Sequence, residues 1–267
     1  MAEITAKLVN ELRAKTGQGM MECKKMLTEV AGDIEKAIEA FRKKGVKASL
    51  TERAATEGRV FGAVAASGKS GAIVEINCNT DFTAKSEPIK AAGEKAAKQL
   101  ADNPKADASA TVASDLTNAS QTTGENVRLG KTSAVAASGK VGLYIYGISG
   151  KIGVLMAFTG NPNDELITDL GGHIAFSRPL ALNRDGIPAD VIEKERTLAV
   201  EQAKETGKPQ NIAEKIAEGK MQAFYKERAL LDQDFFNAQK FKGSISQMLK
   251  AQNCTLDNYV RIEVGQE

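Results

Sequence analysis

The sequence predicts an α+β fold: an N-terminal module of three helices, a duplicated core of antiparallel strands and helices, and an antiparallel helical hairpin inserted in the second half of that core. Three observations predict it. Apolar residues recur at helical spacing in three short runs before residue 45. A strand, turn, strand and helix pattern occurs twice. A charged helical stretch from Pro188 to Arg228 is broken once, at Thr206-Gly207-Lys208-Pro209.

Ile4 to Ala14, Met20 to Val30 and Ile34 to Lys44 read as the three helices, separated by Thr16-Gly17-Gln18-Gly19 and Ala31-Gly32-Asp33. On the second of them, stepping about 100° per residue, Cys23, Met26, Leu27 and Val30 share one face and form a core stripe. Met21 points nearly opposite, with Lys24 and Lys25 around it. An exposed Met framed by lysines suits docking on another protein, because the flexible thioether fills an irregular groove. A lone surface Met is the other reading of the same pattern. Lys43 to Arg59 then reads as a charged linker with a helical part.

Beyond the linker, Ala72-Ile73-Val74-Glu75-Ile76-Asn77-Cys78 alternates with period two, placing Glu75 and Asn77 on the outer face of a half-buried strand. Asn79-Thr80-Asp81-Phe82-Thr83 follows at its end, ahead of a helix from Glu87 to Leu100. Two readings of this tip stand open. Phe82 is held out as a wedge, or Thr80 or Asp81 caps the next turn and Phe82 folds back into the core. Gly58-Arg59-Val60 and Ser67-Gly68-Lys69-Ser70-Gly71-Ala72-Ile73-Val74 recur as Gly139-Lys140-Val141 and Ser149-Gly150-Lys151-Ile152-Gly153-Val154-Leu155. Each copy reads as two strands around a Ser-Gly-Lys turn and then a helix, the second from Asp164 to Ser177. The identical hexapeptides Val64 to Lys69 and Val135 to Lys140 offer a competing register; the longer match is preferred.

In the hairpin, Val191, Leu198, Ile212 and Ile216 sit at spacings compatible with one seam. Ser244 to Leu249 reads as a short helix and Tyr259 to Val264 as an alternating strand that closes the second sheet. The expected division is 1–54 for the helical module with its linker, 55–138 for the first core half, 139–187 with 229–267 for the second, and 188–228 for the hairpin.

Composition narrows the function. With 36 basic against 34 acidic residues, the chain lacks the basic excess of a dedicated nucleic-acid binder, so no DNA partner is expected. Cys23, Cys78 and Cys254 make no metal-ligand or disulfide spacing, which fits a reducing compartment. The start, Met1-Ala2-Glu3-Ile4, carries no apolar leader, and no run approaches the roughly 18 apolar residues of a membrane span, so the expectation is a cytoplasmic protein without a membrane. Ala63 to Ser70 fits a relaxed phosphate-loop pattern, yet such a loop must open a helix, and here a period-two strand follows; a β-hairpin turn is the expectation, without direct nucleotide binding. His173 is the sole histidine, leaving no partner for a histidine-based metal cluster or nucleophilic pair. Neither enzyme chemistry nor a cofactor is expected.

The run Thr16-Gly17-Gln18-Gly19-Met20-Met21-Glu22-Cys23-Lys24-Lys25-Met26-Leu27, the Thr80-Asp81-Phe82, Gly124-Glu125-Asn126-Val127, Lys151-Ile152-Gly153-Val154-Leu155 and His173-Ile174-Ala175-Phe176-Ser177-Arg178-Pro179 together closely resemble the bacterial elongation factor Ts family, in that family's order. The resemblance is weakest at about 102–123 and 229–243. It implies a guanine-nucleotide exchange factor that binds elongation factor Tu with GDP during translation elongation. It further implies a ubiquitin-associated-like three-helix domain and an inserted antiparallel coiled coil. Phe82, with Asp81 beside it and Thr80 and Thr83 flanking, would enter a pocket near the magnesium site of that GTPase and disturb the metal. Arg13, Met20, Met21 and Lys24 would hold a nearby helix, and His173, Phe235 and Phe236 would make a further contact. Thr83 stands where the family usually has Val, Gly171-Gly172 where it prefers better helix formers, and Asn237 where an apolar or basic residue is common. The competing reading is a binding adaptor whose helical module docks on a peptide or ubiquitin-like surface. The hairpin leaves pairing into a homodimer, contact with the partner, or neither open.

Overall fold

The computed structural model of the protein describes residues 4–43, 54–205, 207 and 209–266. It is a mixed α and β structure in two compact units. The first gathers Met1–Ala134, Ile145–Gly153 and Ile262–Glu267, and the second Val135–Tyr144 and Val154–Arg261.

The first unit opens with α1 (Ala6–Thr16), α2 (Met20–Glu29) and α3 (Ile34–Lys43). Thr5 caps α1 by accepting the Leu8 amide, and Gly17 ends it in the left-handed conformation that its missing Cβ permits. Cys23, Met26 and Leu27 are buried with Val9, Leu12, Ala37, Ile38 and Phe41, and Val30 packs partly against them. The stripe is therefore the core face of α2. The predicted linker falls mainly on residues 44–53, outside the described residues, and its end, Glu57 to Arg59, already belongs to a strand.

That strand, β1 (Glu57–Val64), pairs antiparallel with β2 (Ser70–Cys78) in a register running from Glu57↔Cys78 to Val64↔Gly71. The turn between them closes with the Ala65 amide on the Ser70 carbonyl, and Gly68 takes φ +69°. A strand, not a helix, follows Ser70, so the phosphate-loop pattern is a hairpin turn. Next come α4 (Asp81–Ala84), α5 (Glu87–Asp102), α6 (Ala108–Thr123) and β3 (Arg128–Ala136), which joins the sheet in the order β1-β2-β3. Helix α5 lays Ile89, Ala92, Ala96, Ala97 and Leu100 on the sheet, and α6 adds Val112 and Leu116. The expectation of a half-buried β2 needs correction: Glu75 and Asn77 are buried as well. The Asn77 amide donates to Glu75 Oε1, and the Lys131 and Gly265 amides donate to the same carboxylate. A polar face is covered because each of its groups finds a partner.

The second sheet runs in the order β4 (Lys140–Ile145), β5 (Ile152–Thr159) and β6 (Thr255–Glu263). Strands β4 and β5 flank Ser149-Gly150-Lys151 and lead into α7 (Asp164–Ser177), which repeats the β1, β2, α5 order and supports the longer of the two repeat registers. In the rival register, the first hexapeptide turns within one sheet and the second leads from β3 of one sheet to β4 of the other. Asn163 caps α7 by accepting the Leu166 amide at 2.8 Å. Helices α8 (Ala189–Lys204) and α9 (Gln210–Arg228) pack on each other through Ala199, Ala203, Ala213, Ala217 and Met221. The predicted seam is therefore wrong in detail. Leu198 and Ile212 are 45% and 41% exposed, because alanines on the facing sides let the helices approach and displace the larger residues to the flanks. Ile216 packs beside the alanines, and Val191 packs against Ala181, Ile187 and Ala229. Helix α10 (Ile245–Ala251) starts with a capping box of Ser244 and Gln247.

Candidate functional site

In the first unit, β2 ends at Cys78, and the chain turns at once into the single-turn helix α4. Thr80 is its N-cap, its hydroxyl accepting the Thr83 amide at 3.2 Å. The capping half of the second sequence reading is thus correct and its other half is not: Phe82 is 84% exposed and stands out from the turn. Its neighbours are fixed. Thr83 and Ala84 are buried beneath it, and the Cys78 thiol donates to the Thr80 carbonyl at 3.1 Å. A singly exposed apolar side chain is ordinary by itself; what sets this one apart is the ordered turn beneath it.

The brace comes from 45 residues away. Glu125, on the turn between α6 and β3, receives the Thr80 and Thr83 hydroxyls on Oε1 at 2.7 and 2.8 Å, and the Asn79 and Thr80 amides on Oε2 at 3.0 and 3.1 Å. Asn79 reciprocates, its Oδ1 accepting the Asn126 amide and its Nδ2 donating to the Ala54 carbonyl. Partial burial pushes the Glu125 carboxyl upward, but the Thr80 and Thr83 hydroxyls and the two amides outweigh it and hold the group below the ordinary value of 4.5. A depressed carboxylate stabilises the fold above its unfolded value, and that contribution is lost as pH falls through the folded value. Glu125→Gln should therefore lower the melting temperature at neutral pH. Calorimetry in acid should show the gap from the parent closing as pH drops through and below 4.5.

Asp81 pairs with Lys85 at 2.7 Å, and that hydrogen bond, with the lysine's charge, keeps its carboxyl below the usual range. The pair is exposed and leaves the aspartate at the rim of the tip. Beside it lies a cleft of about 500 Å³ whose other ion pair is Lys151 with Glu57 at 2.6 Å. On the helical module, Met21 is 76% exposed and Met20 half-exposed, with Lys24 exposed on the same helix. Arg13 is partly buried, and its Nε is enclosed without a hydrogen-bond partner. Helix α1 also packs on α6, the helix that leads into Glu125.

In the second unit, His173, Phe235 and Phe236 come together. His173 is 3% exposed on α7, with Nε2 2.8 Å from Gln233 Oε1, while the Phe236 amide donates to Nδ1 at 3.3 Å. The two bonds are mutually consistent only if Nε2 carries the proton. Burial lowers the pKa of the ring, against a smaller upward pull from Gln233, and keeps it neutral. Gln233 is anchored in turn by the Ser177 hydroxyl and by the Glu227 carbonyl. Phe235 is buried and Phe236 is 63% exposed, their rings edge to face at 4.7 Å. The histidine thus lies under the surface and holds the backbone of the phenylalanine that is on it. Phe176 and Leu180 are also exposed.

Glu125 and this Gln233 support escaped sequence reasoning. The only available signal for Glu125 was its place in a Gly-Glu-Asn turn. Among the described residues, no group of three His, Cys, Asp or Glu side chains is placed to hold a metal. No described helix is long and apolar enough to cross a membrane.

The sequence model of the family described as elongation factor TS matches residues 79–266, starting at the tip itself. Three curated relatives, each named elongation factor Ts, align over all of this chain. The protein of Thiobacillus denitrificans is 40% identical with 93% of its own length covered, that of Methylobacillus flagellatus 42% with 94%, and that of an Azoarcus species 43% with 92%. Their alignments include the helical module that precedes the family-model match. Full-length identity at this level, together with the family match, shows that the chain belongs to the elongation factor Ts family and is a translation elongation factor.

Proposed function

We propose that the chain is a guanine-nucleotide exchange factor that binds elongation factor Tu carrying GDP and promotes GDP release, with no bond-making chemistry of its own. The observation that carries this reading is Phe82: an aromatic ring 84% exposed at the end of a strand, on a turn held by a saturated carboxylate. Such a ring is ready to be inserted into a partner at little entropic cost, since the backbone beneath it is already ordered.

Exchange works by linkage. The factor binds the GTPase more tightly when the nucleotide is loosened, so by reciprocity GDP weakens the factor. A thousandfold acceleration asks for about 4 kcal/mol of differential stabilisation, and burying one Phe supplies roughly 1.5–3 kcal/mol. Phe82 needs help. The exposed Met20 and Met21 of α2 and the exposed Phe236 are among the apolar groups available to share the work. Asp81, Thr80 and Thr83 set the tip, while Arg13 and Lys24 supply charge beside the methionines. The work takes place in the cytoplasm, where translation elongation occurs.

Reciprocity gives the test. The affinity of this chain for elongation factor Tu, measured by calorimetry with and without saturating GDP, should fall with GDP by the same factor by which the chain weakens GDP. Equal affinity in both states would leave binding without exchange.

A further inference from the structure

We propose that Glu125 is a positioning residue for nucleotide release, acting through Phe82 by fixing the strand-end tip in the conformation that holds the ring outward. The inference deepens the exchange reading and rests on it.

A carboxylate offers about four acceptor sites, and here four donors, all from Asn79, Thr80 and Thr83, converge on it. The donors come from every layer of the tip. The Asn79 amide belongs to the strand exit, the Thr80 amide and hydroxyl to the N-cap, and the Thr83 hydroxyl to the buried side of α4. The cap itself depends on the arrangement. Thr80 Oγ1 accepts from the Thr83 amide while donating to Glu125, so both of its roles are used and its rotamer is set. Helix α4 is four residues long and too short to be stable by itself, so its geometry must come from outside. Phe82 contributes little to that, being largely in solvent. Thr83, which departs from the valine usual in the family, is accounted for by the same carboxylate, because its hydroxyl supplies one of the four bonds.

Glu125→Gln keeps the shape and replaces one acceptor oxygen with an NH2 group that faces two donors. Facing the Asn79 and Thr80 amides, that group loses two bonds; facing the Thr80 and Thr83 hydroxyls, which can turn to accept from it, all four contacts remain but the charge-assisted bonds of the carboxylate become weaker neutral ones. The test is a double-mutant cycle on the release of a fluorescent GDP from elongation factor Tu, with Glu125→Gln made in the parent and in the Phe82→Ala background. In the parent, the release rate at saturating factor should fall about tenfold, with the half-saturating concentration changed much less. In the Phe82→Ala background the same substitution should change the rate by less than about twofold. In the free Glu125→Gln chain, amide hydrogen exchange should quicken at Asn79 and Thr80 while β2 stays protected.

Equal slowing in both backgrounds would show that Glu125 acts on something other than the ring and would overturn the proposal. An unchanged rate in an active parent, or unchanged protection of Asn79 and Thr80, would overturn it too. A parent chain that does not accelerate release at all would instead bring down the exchange reading itself, a result distinct from both.

Discussion

Phe82→Ala should slow factor-dependent GDP release from elongation factor Tu by about 10- to 150-fold while the chain stays as stable as before. The range is the free energy of burying one phenylalanine, about 1.5–3 kcal/mol, converted at about 1.4 kcal/mol per tenfold. Stability is untouched because the ring is 84% exposed and gives the fold almost no burial to lose. The bonds that order α4 involve Thr80, Thr83, Asn79 and Glu125, none of which the substitution removes. Stopped-flow displacement for the rate and a thermal melt for the fold check the two halves. A large drop in melting temperature would mean that the ring packs in the core after all, and an unchanged rate would remove the wedge from the mechanism.

Gly171→Ala should destabilise the protein by about 1–3 kcal/mol, whereas Gly172→Ala, one residue on, should stabilise it by up to about 1 kcal/mol. Helix propensity alone predicts a gain at both, since each glycine lies inside α7. The surroundings separate them. A Cβ on Gly171 would come 2.3 Å from the Cβ of Tyr144 and 2.6 Å from its Cγ. Those atoms sit next to the β4 backbone and cannot swing aside as a flexible side-chain end would. At Gly172 the nearest atom is the Tyr144 hydroxyl at 3.6 Å, an ordinary contact. Gly171 is therefore required by close packing, and Gly172 is not. Gly171 lets α7 lie close on β4, and α7 carries His173 beneath Phe236. Denaturant melts of the two variants decide the matter by sign.

Local pattern and long-range contact divide what the sequence reveals. The three N-terminal helices, the strand pairs around the Ser-Gly-Lys turns and the helices after them follow from periodicity, because each repeats one apolar spacing over a full element. Helix α6 gave no such signal: Ala, Ser and Thr dominate Ala108–Thr123, and a short list of side chains led by Val112 and Leu116 buries it. The hairpin seam was misread for a related reason. Bulk apolar residues mark a seam only where the helices stand apart, and small residues take it over where they approach, as Ala199 and Ala213 do. Glu75 and Asn77 looked solvent-facing because their covering groups, Gly130, Lys131 and Gly265, are far along the chain.

The tip shows the same division within a few residues. The Thr80 cap is a local matter and readable. Whether Phe82 points in or out was not, since the deciding contacts come from Glu125 across the turn between α6 and β3. His173 stands out in the sequence as the sole histidine, but its role depends on Gln233 and Phe236, some sixty residues on. Helical spacing alone puts Met21 on the surface; only the folded chain separates Phe82 and Phe236, which present a surface, from His173, Thr83 and Glu125, which hold it.

Loosening of GDP on elongation factor Tu is the activity proposed for this chain. The direct measurement preloads the GTPase with a fluorescent GDP, adds excess unlabelled GDP, and follows the decay of fluorescence over a series of concentrations of this chain. Release that quickens and then saturates as the chain is added is the predicted result. A decay unchanged at concentrations where the two proteins demonstrably bind would contradict it.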